Sequence, residues 1–514
     1  MGKFEMKQLN SVSDAVIQLR LNAVKSSIQQ VNPDTFIHHC LNYNHQNFKD
    51  QIEMLRHLPW VVNLCIKWSA IAIEKKRQFK PIDGPGTVRL LQRAYEQLSI
   101  IPTGLERNDN GIDFFLRNTL YQQGIYQRLD GLNTVSRQAF LFSSLEENNR
   151  IKRRFKELTN VDINDFLKLS FVLISMVTTQ APVRKIGANT FSILFPLISK
   201  EIIENFLSTI SCPYENLSTF CRNRSDDTPL VEYFSPSPFL EKPFISSKNE
   251  YYQIHTQLTS TSLQTFIYDL LRRDDAESFM DNFGSIFENA VNQLLEESGI
   301  SYIAEDELKK LLPQENKVVD FLIKHTDANI FIDAKGVEIH QKGMVTLRPG
   351  DISGKIKSSV LKTIEQAHSV NRELIKEESR DIPFKKESYI LCLTYKNLFL
   401  GNGTFLNKSF ANFEMRKIRD RHSEEYQIPD EHIFCISFEE FEYLLSSCKV
   451  YNKPVHEVLR EAVDRNKSPS SAVFLFAHHI RDTFPKTRSS EIVKQAGLNQ
   501  LNQLIETLKQ TIPS

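Results

Sequence analysis

Asn329-Ile330-Phe331-Ile332-Asp333-Ala334-Lys335-Gly336 reads as a buried β-strand that ends in an acid and a lysine two residues apart. Side chains at i and i+2 of a strand share a face. Asp333 and Lys335 therefore project together, while Ala334 projects the other way with Ile332 and Ile330. A carboxylate and an ammonium at the end of a buried strand are unfavourable unless they meet each other, a metal or a charged ligand. The same spacing recurs at Glu5–Lys7, Glu74–Lys76, Glu307–Lys309 and Glu315–Lys317. Those copies lie in polar or helix-like surroundings, where a solvated pair is the ordinary outcome. Only Asp333–Lys335 closes an apolar strand.

Outward from this strand the pattern alternates between helix and strand. A helix is expected over 282–298, with Phe283, Phe287, Val291, Leu294 and Leu295 on its apolar stripe. Strands follow at 300–304, 317–324 and 329–335. A long helix covers 353–377, and a fourth strand covers 388–395. A helix at 405–420, a strand at 432–437 and a helix at 438–447 come next, and helices return from 452 to the end. The order predicts an α/β (α+β) core with a mixed central sheet, in which 329–335 is central because both of its faces are apolar.

Residues 1–228 read as almost wholly helical. Apolar residues recur at three and four, as in Leu55, Leu58, Val62, Cys65 and Ile66. Ser235-Pro236-Ser237-Pro238 marks a domain edge. A hairpin is expected across 243–246 and 250–255, turning at Ser247-Lys248-Asn249, with a helix over 263–272. The 514 residues suffice for two to four domains. Lys and Arg number 63, as do Asp and Glu, so any nucleic-acid surface must be local rather than a global basic field. Seven scattered cysteines, with no CxxC pair, predict reduced thiols and a cytoplasmic protein. The amino-terminal residues have no apolar signal core. The most apolar run, 166–177, is interrupted by Lys168 and is too short to span a bilayer. His38-His39-Cys40 and His45 do not converge as metal ligands, because neighbours on a helix point about 100° apart. Lys152-Arg153-Arg154 reads as a solvated helical face or a nucleic-acid contact.

The strand 317–324 contains a second acid, Asp320, among Val318, Val319, Phe321 and Leu322. A short connection containing Thr326-Asp327-Ala328 joins it to 329–335 as in a hairpin, which brings Asp320 near Asp333. Two neighbouring carboxylates repel, and a divalent cation relieves that repulsion. Glu288, at the edge of its helix's apolar stripe, can reach the same end of the sheet. A structural ion pair between Asp320 and a nearby lysine or arginine is the simpler alternative.

Over residues 278–447 the sequence resembles the PD-(D/E)XK, restriction-endonuclease-like nuclease superfamily. The matching residues are Glu288 in Phe287-Glu288-Asn289-Ala290, Asp320 in Val318-Val319-Asp320-Phe321, and Asp333-Ala334-Lys335. Val319 stands where the motif has proline. The resemblance implies a restriction-endonuclease-like core at 278–450, preceded by a large all-α regulatory or targeting domain (1–228) and a linker, hairpin and helix (229–277), and followed by a helical segment (451–514). It implies magnesium, with manganese able to substitute, held by Asp320 and Asp333 with Glu288 completing the site. Lys335 would orient or deprotonate the attacking water, and Gln366 would support the site from the following helix. Lys342 and Arg348 in the loop 337–352, which also contains His340, together with Lys355 and Lys357, are expected to contact nucleic-acid phosphates or to form an ordinary solvated basic loop. Gly350-Asp351-Ile352-Ser353-Gly354-Lys355-Ile356 faintly resembles a P-loop but is one residue short and lacks the closing Ser or Thr.

The expected activity is metal-dependent phosphodiester hydrolysis, with DNA as the nucleic-acid partner, and with a partner protein or a second copy bound through the helical amino-terminal region. A helical regulator fused to such a nuclease suggests, by analogy, bacterial antiviral defence against phage or plasmids. The alternatives are an RNA-directed nuclease, or a non-enzymatic nucleic-acid or protein-binding protein on a degenerate nuclease fold.

Overall fold

The computed structural model describes residues 14–75, 77–99, 101, 111–127, 131–179, 184–312, 317–325, 327–339, 341–346, 348–376, 385, 387–468 and 470–511. Helices dominate, and two small sheets interrupt them. Among the described residues no helix is long and apolar enough to cross a membrane. All seven cysteines are free. The chain forms two compact units, each assembled from separated segments. The first comprises 1–135, 154–270 and 500–514, and the second comprises 136–153 and 271–499.

The first unit is helical around a four-stranded sheet. Its strands are β1 (Lys185–Ile186), β2 (Ser211–Pro213), β3 (Phe244–Ser247) and β4 (Glu250–Gln253), in the order β1-β4-β3-β2. The β3–β4 hairpin turns at Lys248 and Asn249, both with positive φ (51° and 63°). Two left-handed residues match the twist of the flanking strands. The expectation of an all-helical 1–228 is corrected here, because β1 and β2 lie within that stretch. They hold two and three residues and β2 ends in proline, so neither is long enough to display alternation. The helix Pro59–Ala70 buries nearly every side chain, including Lys67. Its ammonium meets Glu232 at 2.7 Å, and Trp68 Nε1 donates to the same carboxylate at 2.6 Å. A fully buried charge requires such pairing.

The second unit holds a five-stranded mixed sheet, β5 (Tyr302–Ala304), β6 (Phe321–Lys324), β7 (Ala328–Lys335), β8 (Glu387–Thr394) and β9 (Ile433–Ser437), in sequential order. The β5–β6 and β6–β7 pairs are antiparallel, and β7–β8 and β8–β9 are parallel. β7 is the middle strand, and Ile330, Phe331 and Ile332 are wholly buried. Burial on both faces explains its near-continuous apolar run.

The helix Ala276–Ser298 packs against β7. Asp275 caps its start by accepting from Ser278 N at 3.1 Å, and Gly299, at φ 69°, ends it. Phe279, Phe283 and Phe287 follow one another at i+4, with ring centroids 5.2 and 5.7 Å apart. Residues 353–377, expected as one helix, form two: Pro349–Ile356 and Val360–Lys376. The break falls at Ser358-Ser359, where the Ser359 hydroxyl donates to the Ile356 carbonyl at 3.3 Å. Serine's competition for backbone groups accounts for the interruption. The Phe438–Tyr451 helix is started by a capping box between Ser437 and Glu440.

Residues 136–153 complete this unit. The Phe142 ring lies 6.0 Å from Phe283, and Phe140 stacks 6.4 Å from Phe438. Arg137 donates to Glu442 at 2.6 Å and to Glu439 at 3.0 Å.

Candidate active site

β6 begins at Phe321, not at residue 317 as expected, and pairs Phe321 with Ile332. Asp320 stands one residue before the strand, so continuing the register places it opposite Asp333. Its carboxylate accepts the Ala334 N–H at 2.7 Å. A side chain thus takes a donor that a continuing strand would have paired through its backbone, and the ladder stops there. Asp333 and Lys335 share one face of β7, as alternation requires, and Asp320, opposite Asp333, projects to that face too. The Lys335 ammonium lies 2.9 Å from the Asp333 carboxylate and 4.0 Å from Asp320 Oδ2.

The helix Val360–Lys376 closes over this end of the sheet. Thr363, fully buried, donates its hydroxyl to Asp333. Gln366, one turn on, donates to the Val318 carbonyl at 2.5 Å. It therefore fixes the backbone two residues ahead of Asp320. Its Oε1 is buried and has no hydrogen-bond partner among the described residues.

Asp333 is wholly buried, Asp320 is nearly so, and Lys335 retains partial solvent contact. Burial raises the Asp320 carboxyl well above the usual carboxylate range, and the neighbouring Asp333 charge adds to the rise. Lys335 and the Ala334 N–H oppose it. Burial works against the Lys335 charge, but Asp333 and then Asp320 outweigh it, so its pKa is raised. Glu288 sits half-buried on the Ala276–Ser298 helix. Its carboxyl is raised first by burial and then by Glu305, with Lys335 opposing and Asp333 adding. It shares the field of the trio, but among the described residues it forms no hydrogen bond or ion pair with them.

Asp320, Asp333 and Lys335 are therefore brought together, while Glu288 and Gln366 act at one remove. Among the described residues no three or more His, Cys, Asp and Glu side chains are grouped closely enough to hold an ion. Two oxygen donors remain, served by one ammonium. Hard cations that retain several waters need no more than one or two carboxylates, and repulsion between the two acids favours such an ion. On donor chemistry the pair is compatible with magnesium, which Asp320 and Asp333 would hold.

The segment 337–352, expected as a loop, contains the helix Gln341–Met344 and the start of Pro349–Ile356. The P-loop-like run is thus helical. Arg348, Lys355 and Lys357 are exposed. His340 and the Lys342 side chain lie outside the described residues. In the first unit, His45 is bound to the Leu41 carbonyl (2.8 Å) and Gln253 (3.1 Å). Thr363 and the Ala334 N–H escape a reading of the sequence, although Thr363 stands three residues before Gln366, on the same helical face.

No protein-family model matches the chain, and no curated protein or solved structure matches it either.

Proposed function

We propose that the second unit is a divalent-cation-dependent nuclease of the PD-(D/E)XK type that hydrolyses phosphodiester bonds, with DNA as the first substrate to test. The observation that carries this reading is the trio of two acids and one ammonium where β7 ends, with Lys335 Nζ 2.9 Å from Asp333 and 4.0 Å from Asp320. Asp320 and Asp333 would hold a magnesium ion, which would supply an acidified water and a polarised phosphate. Lys335 offers a donor to the attacking water and a positive charge against the charge that develops on phosphate. Thr363 holds Asp333 in orientation, and Gln366 holds the backbone leading to Asp320. Under this reading the helical first unit regulates or targets the nuclease, an arrangement that suits a defence effector against foreign DNA.

One observation favours a second reading, a nucleic-acid-binding protein without catalysis: Asp333 is fully buried and already engaged by Lys335 and Thr363. Incubating the purified protein with labelled DNA and RNA, with magnesium, manganese or EDTA, distinguishes the two. Cation-dependent cleavage that Asp333→Asn abolishes supports the nuclease. Binding with no cleavage under any cation leaves the scaffold reading.

A further inference from the structure

The helix Asn412–Arg419 buries Met415 and Ile418 against the second unit and turns Phe413, Arg416 and Lys417 to solvent. Positions i, i+3 and i+4 share a helical face, so the ring and the two cations are neighbours. Phe413 is 71% exposed, more than any other large hydrophobic side chain among the described residues. Met415 and Ile418 already seat the helix, so the phenyl ring is not needed for packing.

Arg416 and Lys417 share the ring's helical face, and further cations lie on a helix tied to this one. Glu414, beside Phe413, accepts from the Ser353 hydroxyl at 3.0 Å and ties the helix to Pro349–Ile356. That second helix carries Lys355 on its solvent side, with Arg348 before it and Lys357 after it. Arg348, Lys355, Lys357 and Lys417 form no ion pair among the described residues, whereas Arg416 meets Asp420 at 3.9 Å. Just beyond the Phe413 helix, Arg421 pairs with Glu365. Glu365 lies on the helix that supplies Thr363 to Asp333, so the surface is tied to the element bracing the candidate site.

An exposed aromatic beside Lys417, with exposed Lys355 on the adjoining helix, matches a ligand with flat apolar faces and a negatively charged backbone. A duplex hides the faces of its bases, whereas a single strand presents them for stacking. A protein partner would call for a wider apolar patch than one ring flanked by Asn412, Arg416 and Lys417. We propose that Phe413, with Lys355 and Lys417, is a stacking and phosphate-contact surface for single-stranded nucleic acid. The strand cut at the Asp320–Asp333 site is then single-stranded or frayed. This specifies the substrate of the nuclease reading and rests on it for the cleavage step alone.

Binding can be measured in EDTA, where no cleavage occurs, by fluorescence anisotropy of a labelled single-stranded oligonucleotide and of its duplex. The intact chain is expected to bind the single strand more tightly. Phe413→Ala is expected to weaken single-strand binding roughly tenfold, Phe413→Leu to weaken it similarly, and Phe413→Trp to preserve it, because stacking needs an aromatic face. The double variant Lys355→Gln/Lys417→Gln should lower the slope of log affinity against log salt by roughly 1.4, about 0.7 for each lost phosphate contact on a single strand. Equal affinity for single strand and duplex overturns the proposal, as does unchanged binding by Phe413→Ala. Leucine restoring binding, or Phe413→Ala altering self-association in sedimentation, identifies an apolar protein contact and overturns it too. Single-strand binding that depends on Phe413, without cleavage under magnesium or manganese, leaves this surface standing and removes the nuclease.

Discussion

At the scale of single residues, the Asp320–Asp333–Lys335 cluster ties stability to protons and cations. Lys335→Ala leaves Asp333 buried without its ammonium. Breaking a buried pair typically costs about 3–5 kcal/mol, and the partial exposure of Lys335 places this case towards the lower end. Urea melts in EDTA should show that loss, and magnesium should recover part of it by binding the folded state. Asp333→Asn should abolish cleavage and the magnesium-dependent stabilisation together. A variant that melts earlier but cuts as well as the intact chain would instead make the pair purely structural. The raised Asp320 carboxyl sets the sign of the pH response. In the folded, cation-free protein it holds its proton to higher pH than in the unfolded chain, where carboxylates titrate at roughly 3.9. Its stabilising contribution is complete below that value and is lost as pH rises through the raised folded pKa. Cation binding must displace the same proton, so apparent magnesium affinity should increase with pH over that window. Titration calorimetry in two buffers of different ionisation enthalpy would detect the released proton. Asp333 and Lys335 were legible in the sequence because strand alternation alone puts them on one face. Asp320 was legible because an acid inside an apolar run is rare. Thr363 and the Ala334 N–H were not, since each becomes relevant only through a partner distant in sequence.

At the scale of elements, Gly336 decides how closely the Ala276–Ser298 helix approaches the end of β7. A Cβ built there would lie 2.9 Å from the Phe283 ring and 3.2 Å from Met280 Cε. Phe283 is stacked between Phe279 and Phe287, so it has little room to withdraw. Gly336→Ala should therefore destabilise the second unit by about 1–3 kcal/mol through overpacking, measured as a lower urea midpoint. It should also reduce cleavage by more than the loss of folded protein explains, because Glu288 rides on the displaced helix. Cleavage that falls only in step with the folded fraction would separate helix placement from activity. The long periodic helices and apolar strands of this unit could be read in advance because burial imposes 3.6 or 2 on the sequence. The break at Ser358-Ser359 was missed because the apolar stripe continues across it. β1 and β2 were missed because their pairing with β4 and β3 is tertiary and leaves no local period.

At the scale of the whole molecule, the two units are interleaved along the chain. A boundary drawn at 278 and 450 leaves out both 136–153 and the helices after 451. It removes Phe142 from Phe283, Phe140 from Phe438 and Arg137 from the wholly buried Glu442. A fragment spanning 278–450 is expected to lose near-ultraviolet circular dichroism and cooperative urea unfolding. A sharp transition like that of the intact chain would show the outlying segments to be dispensable. Nothing in the local sequence announces this threading, because an amphipathic helix carries no label for the core that will receive it. The interleaving also places the two halves of the Phe142–Phe283 contact about 140 residues apart, which at roughly 5–20 residues per second is a wait of about 7–28 seconds on the ribosome. During that interval the apolar face of 136–142 has been synthesised and its destination has not, so nascent chains carry a timed exposure that slower translation between these points would lengthen.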